Sequence, residues 1–212
     1  MDWTFGIVTS ENTGVYINAV IDSILAQKLR NFEIIVVGGK PLHRGEIHVP
    51  FDENIKTGWI TRKKNLIATI ARYDNAVITH DYVEFLPLWG QHFESFGDNW
   101  DVCMNRILNT DNKRFRDWVS YDAEDTTRDW IPPEFIPYSD SSRIKKMYVS
   151  GSYFCVKKSF LIKHPFDERL CWGQSEDCEW SCRIRNSWNY RCNPNSVVRF
   201  LKEKPHFPPT IE

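Results

Sequence analysis

Two mainly apolar segments on either side of an amphipathic helix constrain the fold of this chain more than any other feature. The first spans residues 5–10 and ends in Thr9-Ser10, and the second spans residues 32–37 and is followed by Gly38-Gly39. Between them lies an apolar stripe with helical spacing, made of Ile17, Val20, Ile21, Ile24 and Leu25. Strands without polar alternation are typical of a parallel sheet that is covered on both faces. The pattern therefore predicts a strand-helix-strand unit with two parallel strands.

The remaining segments extend this unit into an α/β fold. In the first half, strands are predicted at residues 46–50 and 76–79, and helices at 61–72 and 86–96, the latter with Pro87 in its first turn. The second half contains two strand-like runs, at residues 101–108 and 115–121, which a turn sequence joins into a hairpin or a pair of antiparallel strands. Further elements are a strand at 148–156, a short helix at 159–163 and a strand at 197–200. A mostly parallel central sheet and a small antiparallel second sheet are expected.

Composition excludes several classes of partner. A chain of 212 residues, 42% hydrophobic and 26% charged, is expected to form one domain around a single core. Its 27 basic and 28 acidic side chains nearly cancel, so no basic surface for nucleic acid or for an anionic membrane is expected. No apolar run approaches the length of a membrane span, and the first residues do not resemble a signal peptide. We therefore expect no integral membrane segment and a cytoplasmic location.

Six cysteines and nine tryptophans are the unusual part of the composition. Four of the cysteines lie within 22 residues, but none forms a Cys-x-x-Cys pair, and only Cys178 and Cys182 are one helical turn apart. Reduced, mostly buried thiols are therefore a better interpretation than a zinc site. Most tryptophans are expected in the core, although aromatic rings also form platforms on which sugars and bases stack.

Three predicted strands end in small or polar residues, at Thr9-Ser10-Glu11-Asn12, Gly38-Gly39 and Thr79-His80-Asp81. In an open α/β sheet, ligands bind beyond the carboxyl ends of the strands. A carboxylate at such an end can hold a magnesium or manganese ion that in turn binds a diphosphate. Asp81 is the candidate, and the alternative is that it is an ordinary polar residue of a turn. The unpatterned, Asp- and Pro-rich segment 122–143 is expected to border the same site.

The segment from Trp172 to Trp180 places the adjacent carboxylates Glu176 and Asp177 at a predicted helix start, after Ser175 as the capping residue. Acids at such positions usually stabilise the helix and do nothing else. A rigid mount between aromatic residues is nevertheless also a suitable place for a reactive acid.

In this order, the motifs resemble those of GT-A glycosyltransferases, specifically of the family 2 type. The shared motifs are the strand-loop-helix start, a basic residue beside Asn at Lys64-Asn65, the Thr79-His80-Asp81 turn, a Gly-containing strand at Gly151 and the Glu-Asp helix start. The resemblance covers about residues 5–200. It implies a GT-A α/β/α sandwich in one domain of residues 1–212, with a nucleotide-sugar-binding half at 1–100 and an acceptor-binding, catalytic half at 101–212.

The resemblance also implies roles for individual residues. Asp177 corresponds to the base that deprotonates the acceptor hydroxyl, supported by Glu176, and Trp172 with Gly173 corresponds to the acceptor site. Asp81, with His206 as a further candidate, corresponds to the ligands of Mn²⁺ or Mg²⁺. The residues implied at the nucleotide sugar are Thr9, Glu11, Gly38, Gly39, Lys64, Asn65, Thr79, His80 and Gly151.

Two positions depart from the family pattern. Gly38-Gly39 stands where many relatives carry an acid that contacts the base, and Thr79 stands where they carry the first acid of Asp-x-Asp. The expected function is inverting transfer of a hexose from a UDP- or GDP-sugar to a saccharide or other small acceptor, in glycan biosynthesis. A non-catalytic sugar-nucleotide or glycan binding module is the alternative. Sugar-phosphate nucleotidyl transfer is less well supported, because the segment 9–14 has one glycine and no basic residue.

Overall fold

An eight-stranded sheet lies at the centre of the structure, a computed structural model that describes residues 1–10, 14–120 and 134–205. The strands, in chain order, are β1 (Asp2–Val8), β2 (Asn31–Val37), β3 (Ile47–Val49), β4 (Asn75–His80), β5 (Val83–Phe85), β6 (Val102–Leu108), β7 (Val119–Ser120), β8 (Glu134–Phe135), β9 (Met147–Tyr148), β10 (Tyr153–Lys157) and β11 (Tyr190–Phe200). The α-helices are α1 (Ile17–Leu25), α2 (Ile60–Ile70), α3 (Trp89–Phe96), α4 (Lys158–Lys163) and α5 (Glu176–Ile184).

The large sheet has the strand order β3-β2-β1-β4-β10-β6-β11-β5, and a second sheet has the order β8-β7-β9. The first four strands are parallel, and β6 and β11 are parallel to each other. Strands β10 and β5 run against their neighbours. The prediction of an α/β fold with a mostly parallel central sheet and a small antiparallel sheet is therefore confirmed. Within the described residues, no helix has the length and apolar character needed to cross a membrane.

The register of β1 brings the predicted strand ends together. Val8 is the partner of Val37 on one side and of His80 on the other. The Thr9 amide then continues the pairing by donating to the Val37 carbonyl at 3.1 Å. Thr9, Gly38 and Asp81, which follow these three positions, consequently lie side by side at one edge of the sheet.

Aromatic rings fill much of the core on the α3 side of the sheet. The Trp3 ring lies 4.9 Å from that of Trp89 and 4.8 Å from that of Phe93, both in edge-on contacts. All three side chains are fully buried. Such pairs add to the large apolar area that each ring removes from water. Among the cysteines, Cys103 and Cys155 are buried, whereas the other four are half-buried, so the thiols are less buried than predicted.

The predicted hairpin of residues 101–121 forms only near its turn. Phe115 donates its amide to the Ile107 carbonyl at 2.8 Å, but the ladder ends at Asp117. The Asp117 carboxylate accepts the amides of Ile107 at 3.1 Å and Trp118 at 2.6 Å, two groups that a longer ladder would use. The chain therefore leaves the large sheet, and only Val119 and Ser120 form a strand, in the small sheet.

Other boundaries differ from prediction for local reasons. Leu88 has a positive φ of 69°, so α3 begins at Trp89 and Pro87 lies outside its first turn. Ser175 also has a positive φ, of 55°, and makes no capping hydrogen bond, so the prediction that it caps α5 is wrong. The predicted strand 148–156 is two strands, β9 and β10, separated by a turn around Gly151. The last strand is longer than predicted because it continues through a register shift between Asn193 and Val197.

Candidate active site

The carboxyl ends of β1 and β4 form one side of the candidate site, which we call the strand-tip wall and define by Thr9, His80 and Asp81. The Thr9 hydroxyl donates to Asp81 Oδ2 at 2.6 Å, and both side chains are buried. This contact holds the Asp81 carboxylate at the edge of the sheet. Thr79, one position from the strand end, is fully buried, and its hydroxyl donates to the His80 carbonyl at 3.2 Å. The structure therefore does not bring the Thr79 side chain to the site.

A cavity of about 450 Å³ opens beside this wall. Its lining combines strand ends with residues distant in sequence, among them Thr9, His80, Asp81, Gly58, Lys63, Trp172, Lys202 and Lys204. A larger cavity of about 760 Å³ lies at the other edge of the sheet, where β1 begins at Asp2 and β2 begins at Asn31. Ligands of open α/β sheets bind at the carboxyl ends of the strands, so the smaller cavity is the candidate site.

Two consecutive lysines of α2, Lys63 and Lys64, contact different walls of the site. Lys63 Nζ donates to the Thr9 carbonyl at 2.6 Å and forms an ion pair with Glu53. Lys64 Nζ forms an ion pair with Glu176 Oε1 at 3.0 Å. Only 2% of Lys63 and none of Lys64 is exposed, so each ammonium depends on its partners for the solvation it has lost.

Asn65 follows these lysines but faces a different segment. Its amide nitrogen donates to the Phe166 carbonyl at 3.0 Å, and its Oδ1 accepts the Phe166 amide at 2.9 Å. A further bond reaches Glu168 Oε1 at 3.0 Å. Asn65 is not among the cavity-lining residues. The structure therefore places it as a brace for the chain that leads to Trp172.

The Gly38-Gly39 turn allows the chain to pass directly against Thr9. Gly38 has a φ of 95°, and a Cβ atom there would lie 2.3 Å from the Thr9 carbonyl oxygen and 3.0 Å from Lys63 Nζ. A side chain is therefore excluded on both conformational and steric grounds. Both glycines border the strand-tip wall behind Thr9 and are not part of the cavity lining.

Gly151, Glu176 and Asp177 form a second group of candidate residues, which we call the helix wall, and none of the three is among the residues that line the cavity. The Gly151 amide donates to Asp177 Oδ2, and the Cys178 amide donates to Oδ1, each at 2.9 Å. A Cβ atom at Gly151 would lie 2.9 Å from both Asp177 Oδ2 and Glu176 Oε1. Only glycine therefore permits this close approach, and the Asp177 carboxylate is fixed by backbone groups.

The Asp177 carboxyl has a higher proton affinity than an ordinary aspartate. Desolvation raises its pKa most, and the adjacent Glu176 carboxylate raises it further. The Lys64 ammonium and the amides of Gly151 and Cys178 act in the opposite direction, and the net shift of the pKa is upward. A carboxylate with raised pKa, held in a fixed position, has the properties of a general base.

The turn between β9 and β10 connects the two walls. The His80 amide donates to the Ser152 carbonyl at 3.0 Å, and the hydroxyls of Tyr82 and Ser152 are 3.1 Å apart. The neighbouring residue, Gly151, holds Asp177. Two consecutive residues, Gly151 and Ser152, therefore link the strand-tip wall to the helix wall.

Lys202 and Lys204 are site residues that the sequence did not predict. Lys202 Nζ lies 3.8 Å and Lys204 Nζ 4.5 Å from the centre of the Tyr82 ring, and both line the cavity. Their charges affect the pKa values of neighbouring groups in the site. Desolvation holds the pKa of His80 well below its usual range, helped by four ammonium groups, those of Lys64, Lys204, Lys202 and Lys63. Desolvation, followed by the Lys202 charge, lowers the pKa of Lys204 to about 8.

Trp172 stands at the mouth of the cavity. Its amide donates to the Gly58 carbonyl at 2.8 Å, and 70% of the residue is exposed. Such exposure of a large aromatic ring beside a cavity is unusual and favours a contact with a ligand. Gly173, with a φ of 80°, turns the chain away after it. Glu11 and His206 lie outside the described residues.

The segment 122–143 is described only from residue 134 onward. Its described part forms β8 and then Tyr138, whose hydroxyl donates to Asp117 Oδ2 at 2.6 Å. Glu134 and Ser141 line a separate cavity together with Ser120. The described part of this segment therefore does not border the strand-tip wall, and residues 122–133 lie outside the described residues.

Asp81 is a candidate ligand for a divalent cation that is shared with a phosphate ligand. In the described ranges, no three His, Cys, Asp or Glu side chains are close enough to hold a metal ion by themselves. Mg²⁺ commonly takes only one or two protein carboxylates and completes its shell with water and substrate phosphates. Asp81, whose Oδ2 is held by Thr9, can supply one such ligand.

Comparison with known proteins identifies the fold. No protein-family model and no curated protein sequence matches the chain. Among solved structures, S. aureus TarS 1-349 in complex with UDP-GlcNAc matches 97% of this chain at 14% identity, with a TM-score of 0.65. GalNAc-T7 with UDP, GalNAc and Mn²⁺ matches 96% of it at 13% identity, with a TM-score of 0.67. The chain spans 60% and 43%, respectively, of those two chains. Both are GT-A glycosyltransferases, so this chain has the GT-A fold.

Proposed function

We propose that the chain is a glycosyltransferase of the family 2 type, which moves a hexose from a UDP- or GDP-sugar to a hydroxyl of a saccharide or another small acceptor, with inversion at the anomeric carbon. The observation that carries this proposal is the Asp177 carboxylate, which two backbone amides hold at 2.9 Å and whose pKa is raised. Asp81, a carboxylate of the strand-tip wall, lines the cavity that we assign to the donor. The GT-A fold supports the same class.

The donor is assigned to the strand-tip wall. Thr9 and the Gly38-Gly39 turn would lie along the nucleoside, and Asp81 would hold Mg²⁺ or Mn²⁺ on the diphosphate. A divalent cation bound there would neutralise negative charge on the departing nucleoside diphosphate. GalNAc-T7, one of the structural neighbours, was solved with UDP and Mn²⁺, which supports this assignment. The nucleotide-sugar half and the acceptor half of the chain would meet at this cavity.

Asp177 would remove the proton of the acceptor hydroxyl as its oxygen attacks the anomeric carbon. A hydroxyl is a weak nucleophile, and a positioned base accelerates such a step by roughly 100-fold to 10,000-fold. Lys64 forms an ion pair with Glu176. The Glu176 charge in turn raises the proton affinity of Asp177. The Trp172 ring at the cavity mouth would stack on the apolar face of the acceptor sugar.

Asp177→Asn tests the assignment of the base. Transfer from UDP-GlcNAc or another accepted donor should fall by roughly 100-fold to 10,000-fold, while donor affinity stays unchanged. The base must be ionised, and its pKa is raised. On acidification, kcat/KM of the wild type should therefore begin to fall at a higher pH than it would with a base of ordinary aspartate pKa. Glu179→Gln, which changes another acid in the first turn of α5, is the matched control. Wild-type transfer by Asp177→Asn would remove Asp177 as the base.

A non-catalytic sugar-nucleotide binding module is the second candidate. The observation that favours it is the buried Thr79, which leaves Asp81 as the carboxylate of the turn. Such a protein should bind a nucleotide sugar tightly and neither hydrolyse nor transfer it. Slow hydrolysis of the bound nucleotide sugar by the purified protein, lost in Asp177→Asn, would exclude this alternative.

A further inference from the structure

We propose, on the basis of the glycosyltransferase function above, that Lys202 and Lys204 form a binding site for the diphosphate of the nucleotide sugar. The two lysines would bind phosphate oxygens directly and give the protein a part of its nucleotide affinity that needs no divalent cation. Both lysines line the same cavity as Asp81. The evidence is the position of the two ammonium groups, the anchoring of their backbone and the pairing of the other lysines.

Both side chains converge on one feature, the Tyr82 ring. Their Nζ atoms lie 3.8 Å and 4.5 Å from its centre, and Tyr82 directly follows Asp81. An ammonium over an aromatic face gains about 0.5–2 kcal/mol at most and remains able to donate hydrogen bonds. The ring therefore positions two like charges side by side without neutralising either.

The backbone that carries the lysines is held at both ends. The Leu201 amide donates to the Tyr82 carbonyl at 2.8 Å. Three residues later, the buried Asn109 side chain donates to the Lys204 carbonyl at 2.7 Å and accepts the Lys204 amide at 3.0 Å. The segment between these anchors cannot swing freely. The two ammonium groups are thus preorganised before any ligand binds, which lowers the entropic cost of binding.

The other two lysines of the site are already occupied. Lys63 pairs with Glu53, and Lys64 pairs with Glu176. In the part of the chain that the structure describes, neither Lys202 nor Lys204 has a carboxylate within 4 Å. A diphosphate ester carries at least two negative charges, and Asp81 beside it adds a third that repels it. The unpaired lysines are the groups available to offset that charge, through strong charge-assisted hydrogen bonds.

Isothermal titration calorimetry with UDP in EDTA tests the site. Wild-type protein should bind UDP in EDTA, and Lys202→Met/Lys204→Met should weaken this binding by roughly tenfold to 100-fold for each lysine. Binding of uridine, which has no phosphate, should not change between the two proteins. Lys202→Arg/Lys204→Arg should recover most of the UDP affinity because the positive charges remain. Lys163→Met, at an exposed position in α4, is the control.

The outcomes separate this site from the proposed function. Unchanged UDP affinity of the double Met variant in EDTA, or wild-type binding of UDP that requires Mn²⁺ entirely, would overturn the lysine site and leave the function standing. Failure of the wild type to bind UDP, GDP or their sugars with Mn²⁺ as well as in EDTA would overturn the function itself. A thermal melt of each variant identifies any that is unfolded, and Lys202→Met alone then replaces the double variant.

Discussion

The strand-tip wall and the helix wall each contain an aspartate, and the surroundings of the two carboxylates are opposite. Asp81 is held by a hydroxyl and lies among lysines, whereas Asp177 is held by backbone amides and lies beside another carboxylate. A carboxylate that lies among lysines suits a site for an anionic ligand and the cation bound to it. A carboxylate beside a like charge gains proton affinity. The same residue type is thereby fitted for donor binding on one wall and for proton transfer on the other.

Neighbouring lysines of α2 allow the two walls to be weakened separately. Lys64→Met should destabilise the protein by about 3–5 kcal/mol, because it leaves the buried Glu176 without its partner. Lys63→Met should cost less, about 1–3 kcal/mol, because 26% of its partner Glu53 is exposed and can be hydrated. Urea unfolding of both variants measures the difference. Equal losses would show that the helix wall does not depend more strongly on its ion pair.

Gly151→Ala should disturb the helix wall alone. The added Cβ would meet Asp177 Oδ2 and Glu176 Oε1 at 2.9 Å, so the carboxylates must move, at a cost of about 1–3 kcal/mol in stability. A base displaced by about 1 Å should lose roughly 100-fold in kcat. Gly14→Ala is the control, since its Cβ would meet nothing within 4 Å. Normal kcat in Gly151→Ala would mean that the position of Asp177 does not matter for transfer.

Asp81→Asn should affect donor binding and leave the helix wall intact. If Asp81 holds a divalent cation, Mn²⁺ should tighten UDP binding to the wild type, and the variant should lose about tenfold or more of that gain. Calorimetry with and without Mn²⁺ measures it directly. Asp74→Asn, at the residue just before β4, is the matched control. If Mn²⁺ tightened UDP binding to the variant as much as to the wild type, Asp81 would not be a ligand of the metal.

Trp172→Ala should produce the smallest change, confined to the acceptor. The exposed ring contributes little to the core, so stability should remain within about 0.5 kcal/mol of the wild type. Loss of a stacking contact worth about 0.5–1.5 kcal/mol should raise the acceptor KM by roughly twofold to tenfold, with donor affinity unchanged. Trp172→Phe should keep the acceptor KM close to that of the wild type. An unchanged acceptor KM would place the acceptor elsewhere.

The two walls also differ in how far sequence alone predicted them. Strand ends are marked locally by apolar runs that stop at polar residues or glycine, so the meeting of Thr9, Gly38 and Asp81 was predictable. The helix wall was predicted as a pair of acids but with the wrong cap, because a positive φ at a serine has no local signal. Asn65 was predicted beside the donor, and its bonds to Phe166 and Glu168, about 100 residues away, depend on packing.

Sequence by itself determined the α/β class, the convergence of three strand ends and the rigid mount of Glu176 and Asp177, because apolar periodicity and strand termination are local properties of the chain. The tertiary structure alone decided which charges meet. Strand β11 pairs with β5, and this pairing places Lys202 and Lys204, which follow β11, over the Tyr82 ring. The Gly151 amide donates to Asp177, 26 residues further along the chain. Such contacts arise from long-range strand pairing, in which partners distant in sequence are selected by the packing of the whole sheet and by no local pattern.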